Sequence, residues 1–142
     1  MIREYQPEDT DALVTIWQSA IALAHPFLKP AFVALEEQNM RNIYLPNTKT
    51  WVAEEQGVPV GFIALMEDEI GGLFLEPRYH GKGIGREMVD HAVDRTGPLR
   101  VEVFEKNVVG RPFYDRYGFV ETGRYLHGDS EQMMIRMAMP SP

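Results

Sequence analysis

An apolar strand that passes through a glycine-rich turn directly into a helix constrains this chain more than any other feature. The segment 70–86 reads IGGLFLEPRYHGKGIGR, with Gly81, Gly83 and Gly85 at the turn. The first turn of a helix leaves backbone N–H groups unpaired and carries a partial positive charge, and glycines let that backbone approach an anion closely. The segment therefore predicts a phosphate-binding turn at the start of a helix.

The charge of this segment also favours an anionic ligand. The 142-residue chain has 14 basic and 21 acidic residues and a formal charge of −7. Residues 77–86 nevertheless contain Arg78, Lys82 and Arg86 and no acidic side chain. A basic island on an acidic protein attracts a small polyanion, whereas the surface as a whole repels nucleic acid and anionic membranes. Neither of these large partners is therefore expected.

The two familiar nucleotide-binding patterns fit this turn poorly. A P-loop needs a Lys-Ser or Lys-Thr pair after the glycines, and none is present. The dinucleotide fingerprint needs GxGxxG, whereas the three glycines form GxGxG and Arg86 follows them. The ligand is expected to be a phosphate compound bound in another way.

Composition excludes several other classes of site. The chain has no cysteine, which rules out a disulfide scaffold, a thiolate-rich metal site and a cysteine nucleophile. Its serines, Ser19, Ser130 and Ser141, do not lie in a nucleophile elbow. The histidines at 25, 80, 91 and 127 form no i, i+4 pair, so no metal site is predicted.

Hydrophobic periodicity predicts one domain over 1–142, with a mixed sheet and helices packed on it. Predicted strands are 2–5, 51–55, 58–66, 70–75, 99–104, 119–125 and 132–139, and helical patterns cover 13–21, 32–44, 84–93 and 109–117. The N-terminus has no apolar signal core, and no stretch approaches the roughly 18 apolar residues of a membrane span. A cytoplasmic location is expected.

Two sequence blocks together resemble the GNAT superfamily of acetyl-CoA-dependent N-acetyltransferases. The first is the segment 80–85, HGKGIG, which resembles the family signature of Arg or Gln, two residues, Gly, one residue, then Gly or Ala, with His80 in place of the usual Arg or Gln. The second is Asn107, Phe113-Tyr114 and Gly118-Phe119, in the expected order. The resemblance implies an α/β (α+β) fold, with a mixed, mostly antiparallel twisted sheet of about seven strands flanked by four helices.

The resemblance also implies which residues bind acetyl-CoA. The asparagine holds the pantetheine arm in similar enzymes, and the tyrosine lies near the thioester sulfur, where Tyr114 could give the leaving thiolate a proton. An irregularity in the strand before the turn points a backbone N–H at the carbonyl, and Leu73 to Leu75 is the matching region. The expected cofactor-binding residues are Leu73, Phe74, Leu75, His80, Gly81, Lys82, Gly83, Ile84, Gly85, Arg86, Asn107, Phe113 and Tyr114.

The sequence offers several candidates for the base that deprotonates the acceptor amine. An alkyl amine with a pKa near 10.4 costs about 4 kcal/mol to deprotonate at pH 7. His25, in the HPF sequence between the first two helices, is one candidate, and Phe27 is expected to join it in binding the acceptor. Glu69 and Glu102 are further candidates, each acting through a water or simply solvated. Acidic residues at 36, 37, 54, 55, 67, 68 and 69 are expected to attract a cationic amine.

The predicted activity is direct acetyl transfer to a primary amine in a ternary complex, without a covalent enzyme intermediate or a metal. The acceptor is a small amine, a lysine or an N-terminus of a peptide or protein. An alternative is a non-catalytic sensor that binds acyl-CoA, and a third possibility is another acyl donor. Similar enzymes are often monomers or dimers, so either state is expected.

Overall fold

Seven strands form one sheet in the computed structural model, which describes residues 1–140. They are β1 (Ile2–Glu4), β2 (Lys49–Glu55), β3 (Val58–Met66), β4 (Glu69–Leu75), β5 (Arg100–Phe104), β6 (Val120–His127) and β7 (Gln132–Ala138). Their spatial order is β1-β2-β3-β4-β5-β7-β6, and β4 with β5 is the one parallel pair among the described strands. The predicted mixed, mostly antiparallel sheet is confirmed.

Four main helices flank the sheet within the described residues, as the resemblance implied. They are α1 (Thr10–Ala24), α2 (Pro30–Asn39), α3 (Ile84–Thr96) and α4 (Gly110–Tyr117). A π-helical turn, Met40–Tyr44, and a last helical turn, Leu45–Asn47, continue α2 to the start of β2. No helix in residues 1–140 is both long and apolar enough to cross a membrane.

The sheet is buried between these helices because its central strand is apolar on both faces. In β3, Phe62 packs in a cluster with the apolar stripe of α1, and Ile63 packs in a second cluster with α3. The apolar stripe on α1 includes Leu13 and Trp17 at helical spacing, so α1 packs on the face of the sheet that bears Phe62. A strand buried on both sides reads as a continuous apolar run, which is what the sequence of β3 shows.

The sheet opens between β4 and β5, and this gap positions the site. The two strands pair only at Glu69 with Arg100 and Ile70 with Val101. A bulge then adds Gly71 to β4, because Leu65 pairs with Ile70 and Ala64 with Gly72. The irregularity therefore precedes Leu73–Leu75, which corrects the predicted position. Beyond the bulge, one backbone edge of β4 faces the gap instead of a neighbouring strand.

Candidate active site

The glycine-rich turn has the open backbone that its sequence predicts. Gly81 and Gly83 have φ angles of 79° and 84°, in the left-handed region that favours glycine, and an added Cβ would meet nothing within 4 Å at either position. His80 donates from Nε2 to the Leu75 carbonyl oxygen at 3.2 Å, which ties the turn to the end of β4. Gly85 has a different role, because a Cβ there would lie 3.2 Å from the ring of Phe113.

A cavity of about 710 Å³ opens beside this turn. It is bounded by the end of α1, by the last residues of β4, by the start of α3 and by residues of 107–117. Arg86 and Arg116 line it and no acidic residue does, so it is termed the basic cavity. An open backbone turn with two guanidinium groups fits a polyanionic ligand.

The basic cavity collects nearly all the residues predicted to bind the cofactor. Those that line it are Leu73, Phe74, Leu75, His80, Gly81, Gly83, Ile84, Gly85, Arg86, Asn107, Phe113 and Tyr114. Lys82 does not line it, because its ammonium lies over the ring of Tyr79, 5.2 Å from the centroid. Lys82 therefore contributes charge near the cavity mouth and not a wall.

A second cavity, of about 380 Å³, lies along the gap between β4 and β5. Its walls include Glu36, Glu69 and Glu102 and no lysine or arginine, so it is termed the acidic cavity. The two cavities share a wall, and the residues that line both are His25, Leu73, Phe74, Asn107 and Tyr114. A group held in one cavity can therefore reach a group held in the other at this shared wall.

Tyr114 is a buried residue of the shared wall. It lies on α4, is 6% exposed and packs edge-on against the rings of Phe113 and Phe119 at 5.3 and 5.2 Å between centroids. Burial raises the pKa of Tyr114 well above its ordinary value near 10. The phenol is therefore neutral at physiological pH and can donate a hydrogen bond.

His25 ends α1 and stands at the same wall. Its ring packs against those of Phe104 and Phe27, with centroids 5.0 and 5.7 Å away. Burial lowers the pKa of His25 to about 4, so the imidazole is neutral at pH 7. Moving a proton from an alkylammonium to a group of that pKa costs about 9 kcal/mol, which disfavours storage of the proton on this ring. Phe27 was predicted to bind the acceptor, but it lines neither cavity and instead packs against the ring of His25.

The two other predicted base candidates line the acidic cavity but are already paired. Glu69 forms an ion pair with Arg100. Glu102 accepts hydrogen bonds from the Tyr125 hydroxyl at 2.6 Å and from Arg136 Nε at 3.1 Å. Both carboxylates are held in fixed positions by these contacts.

Asn107 is buried where the two cavities meet. Its Oδ1 accepts the backbone N–H of Gly110 at 2.7 Å and that of Val109 at 3.2 Å, so the side chain caps the start of α4. A Cβ at Gly110 would lie 2.5 Å from the Asn107 Nδ2. The glycine therefore makes room for the asparagine amide.

Sequence reasoning missed the side chains that complete the acidic cavity. Phe104 and His127 line it from β5 and the end of β6, and Tyr44 lines it from the π-helical turn. Each is an isolated aromatic residue in its own segment, so no local spacing links them. Only the alternation of β5, which places Phe104 on the same face as Glu102, offered a signal.

Three comparisons with known proteins agree with this geometry. Residues 15–139 match the family model described as acetyltransferase (GNAT) domain. The peptidyl-lysine N-acetyltransferase YjaB of Salmonella typhimurium strain LT2 is 36% identical over 124 residues, which is 87% of this chain and 85% of that protein. The solution structure of apo YjaB from Escherichia coli has a TM-score of 0.88 and 31% identity and covers 100% of this chain and 98% of that one.

A more distant structure shares the fold alone. The PaiA N-acetyltransferase from Thermoplasma acidophilum, solved in complex with coenzyme A, has a TM-score of 0.73 at 19% identity, with 96% of each chain covered. The family match spans most of the chain and the identity to YjaB extends over the same region. The chain therefore belongs to the GNAT family and is an N-acetyltransferase, an enzyme that moves an acetyl group from acetyl-CoA to an amine.

Proposed function

We propose that the enzyme acetylates the side-chain amine of lysine in a peptide or protein. The observation that carries this proposal is the meeting of a basic and an acidic cavity at Tyr114. A cavity lined by three glutamates and by aromatic rings suits an alkylammonium with an apolar stem, which is the form of a lysine side chain. The name of the similar YjaB, a peptidyl-lysine N-acetyltransferase, supports the same acceptor.

In this proposal the basic cavity holds acetyl-CoA, which supplies the acetyl thioester. Backbone N–H groups of the 81–85 turn bind the pyrophosphate, and Arg86 and Arg116 neutralise further phosphate charge. Asn107 directs its amide nitrogen to the pantetheine arm, because its oxygen is already used to cap α4. These residues hold the ligand with its reactive end at the shared wall.

The chain stabilises the charges of the reaction with donors that are fixed before it begins. Beyond the Gly71 bulge, the backbone N–H groups of Leu73 and Leu75 on the open edge of β4 polarise the acetyl carbonyl. Tyr114 donates a hydrogen bond to the sulfur as the C–S bond breaks. Because burial raises the pKa of Tyr114, its hydroxyl is protonated before the reaction, so an O–H group is present to face the departing sulfur.

The proton of the acceptor ammonium leaves through the acidic cavity. We assign its acceptance to Glu102 or Glu69 acting through water, since both line that cavity in fixed positions. His25 positions the amine at the shared wall by packing and hydrogen bonding, since a pKa of about 4 makes it a weak base. The amine attacks once it has lost one proton. As the tetrahedral intermediate collapses the nitrogen loses a second proton and the sulfur gains one, so the net reaction releases a single proton.

The test is thiol release from acetyl-CoA with an N-terminally blocked lysine peptide, beside polyamines, amino acids and aminoglycosides. Tyr114→Phe is expected to lower kcat about 100-fold and to leave the Kd for acetyl-CoA nearly unchanged. Tyr5→Phe is the matched control, because Tyr5 bonds Thr10 outside both cavities. Acetylation of another acceptor with no activity on the peptide would overturn the lysine proposal.

Four earlier expectations stay predictions beside this proposal. They are the cytoplasmic location, a monomer or homodimer, the absence of a resident metal, and the use of acetyl rather than a longer acyl donor. Comparison of acetyl, propionyl and succinyl thioesters tests the last. Saturable acetyl-CoA binding without thiol release on any acceptor would instead favour a sensor.

A further inference from the structure

We infer that Glu36 binds a second positive group of the acceptor, separate from the amine that is acetylated. The inference rests on the proposed function and narrows its substrate class to amines that carry another cation nearby. The second group is an ammonium or guanidinium, and for a peptide acceptor it belongs to a basic residue near the reactive lysine. Four observations carry this assignment.

The first is that Glu36 differs from the other carboxylates of the acidic cavity. Glu69 has Arg100 as its partner and Glu102 has Arg136. Within residues 1–140 no lysine or arginine lies within ion-pair distance of Glu36. Tyr44 and Asn39 hydrogen-bond this half-buried carboxylate but do not neutralise it, so its charge is available to a cationic ligand.

The second is the position of Glu36 away from the reacting groups. Glu36 lines the acidic cavity but does not belong to the wall shared with the basic cavity. The rings along the cavity give its direction: His25 at the shared wall packs against Phe104, Phe104 packs against His127 at 6.2 Å, and His127 packs against Phe32 at 6.1 Å. Phe32 is one turn before Glu36 on α2. Glu36 is therefore at the end of the cavity remote from Tyr114.

The third is the set of rings around this carboxylate. Phe32, Tyr44 and His127 line the same end of the cavity as Glu36. Aromatic faces beside a carboxylate form the kind of cage that binds ammonium and guanidinium groups. A cation placed there has both a carboxylate and aromatic rings as neighbours.

The fourth is that polar contacts link the elements at this end of the cavity. The Ser130 hydroxyl and backbone N–H both contact His127 Nδ1, at 2.7 and 3.2 Å, and Ser130 is buried. Lys29, at the start of α2, forms an ion pair with Glu131 in the turn between β6 and β7. The helix that bears Glu36 is thus tied to the hairpin that bears His127, and a cage held in place loses little entropy on binding.

The polar and charged groups around Glu36 also favour binding of a cation at this carboxylate. Burial raises the pKa of Glu36, while Tyr44, His127 and Asn39 favour its charged form and Asp129 opposes it. A cationic ligand would remove most of this penalty by replacing lost solvation with a direct partner.

The experiment compares acceptors that have one reactive amine and differ only in a second charge. Agmatine, which has a guanidinium that is not acetylated, is compared with its neutral urea isostere N-carbamoylputrescine, and a blocked peptide with Arg beside one Lys is compared with the same peptide with citrulline in place of Arg. The ratio of kcat/KM for the charged over the neutral member is measured in the wild type. Preference in the agmatine pair alone assigns the site to small amines, and preference in the peptide pair extends it to basic peptides.

The variant Glu36→Gln is expected to lower this ratio about tenfold, and Glu37→Gln is the matched control. Glu37 is the next residue on α2, bonds Gln18 and Arg41, and does not line the acidic cavity. A wild-type ratio near one in both pairs, or an equal ratio in wild type and Glu36→Gln, would overturn the inference and leave the proposed function intact. No thiol release with any acceptor would overturn both.

Discussion

The basic and acidic cavities meet at one tyrosine but are built in opposite ways. The basic cavity offers a ligand mainly backbone groups: an open glycine turn, a helix start and the unpaired edge of β4. The acidic cavity is made mostly of side chains, from α1, α2, the π-helical turn, α4 and four strands. Backbone donors suit a ligand that is the same in every reaction, such as the cofactor. Single side chains, by contrast, can be exchanged by mutation to suit another acceptor. The comparison indicates that the cofactor half of the site is fixed and that the acceptor half is where specificity can vary.

In the proposed function, the opposite charges of the two cavities also direct the two substrates to different cavities. A phosphate-bearing ligand is attracted to the arginines and repelled by the glutamates, and a cationic acceptor experiences the reverse. Each cavity therefore discriminates against the other's ligand by charge as well as by shape. The formal charge of −7 for the whole chain hides this division.

The largest expected effect tests whether backbone really binds the cofactor. Gly83→Val places a branched side chain where the φ angle is 84° and where the turn faces the basic cavity. Loss of two charge-assisted hydrogen bonds would weaken acetyl-CoA binding by about 4 kcal/mol, or roughly 1,000-fold in Kd by titration calorimetry.

Gly57→Val is the matched control for that variant. Gly57 also has a positive φ, 78°, with nothing within 4 Å of its Cβ position, but it lies in the turn between β2 and β3. Both variants should lose similar stability from backbone strain, and only Gly83→Val should lose acetyl-CoA. Equal binding by the two variants would mean that the turn does not hold the cofactor.

The next effect concerns the wall that the two cavities share. The pKa of His25 is about 4 in the folded chain and near 6.5 when unfolded, so the unfolded state binds more protons between these values. The free energy of unfolding therefore rises with pH from 4 to 6.5, by up to about 3 kcal/mol from this group.

His25→Phe removes the titration while it keeps a ring against Phe27 and Phe104. Urea unfolding at pH 4.5 and 7 is expected to show a smaller loss of stability at the acid pH in this variant than in the wild type. Parallel losses in the two proteins would place the imidazole in water, and its role as a base with an ordinary pKa would then regain support.

The unequal success of sequence reasoning follows from the same difference between the cavities. The basic cavity is encoded in contiguous segments, so the glycine turn, Asn107 and Tyr114 could be placed from spacing and resemblance. Lys82 was the exception, because its long side chain stacks on Tyr79 and local sequence does not fix its direction. The positions of the strands and helices along the chain were likewise accessible, since each element has its own periodicity.

The acidic cavity could not be predicted because it exists only after the chain folds. Glu36, Phe104 and His127 come from three distant segments, and each looks like an ordinary surface or strand residue in isolation. Glu36 appeared in the sequence as one acid among seven. Only the fold shows that Glu36 and Glu69 line the acidic cavity and that Arg100 pairs with Glu69 and not with Glu36. Phe27 was misplaced for the same reason, since its proximity to His25 in sequence did not reveal which ring faces the cavity.

A smaller effect separates charge from backbone within the basic cavity. Arg86→Gln removes an exposed cation that lies over the ring of Tyr117, 4.8 Å from its centroid, and leaves the turn unchanged. The Kd for acetyl-CoA should rise about fivefold at low salt, and the variant should be less sensitive to added salt. Arg95→Gln, on the same helix but outside the cavity, should behave as the wild type. An equal salt dependence in all three proteins would deny the arginine a role in cofactor binding.

The smallest effect asks whether the acidic cavity is built at the expense of stability. Because burial raises the pKa of Glu36, the folded state holds its proton to higher pH than the unfolded state does, and stability falls as pH rises through that range. Glu36→Gln should therefore raise the free energy of unfolding at pH 7, by roughly 0.5 kcal/mol, and the gain should vanish near pH 4. Glu37→Gln should show no such gain, because Glu37 is paired with Gln18 and Arg41. A gain of stability in Glu36→Gln at pH 7 would fit a binding role for this carboxylate, whereas a loss of stability would identify Glu36 as a structural residue.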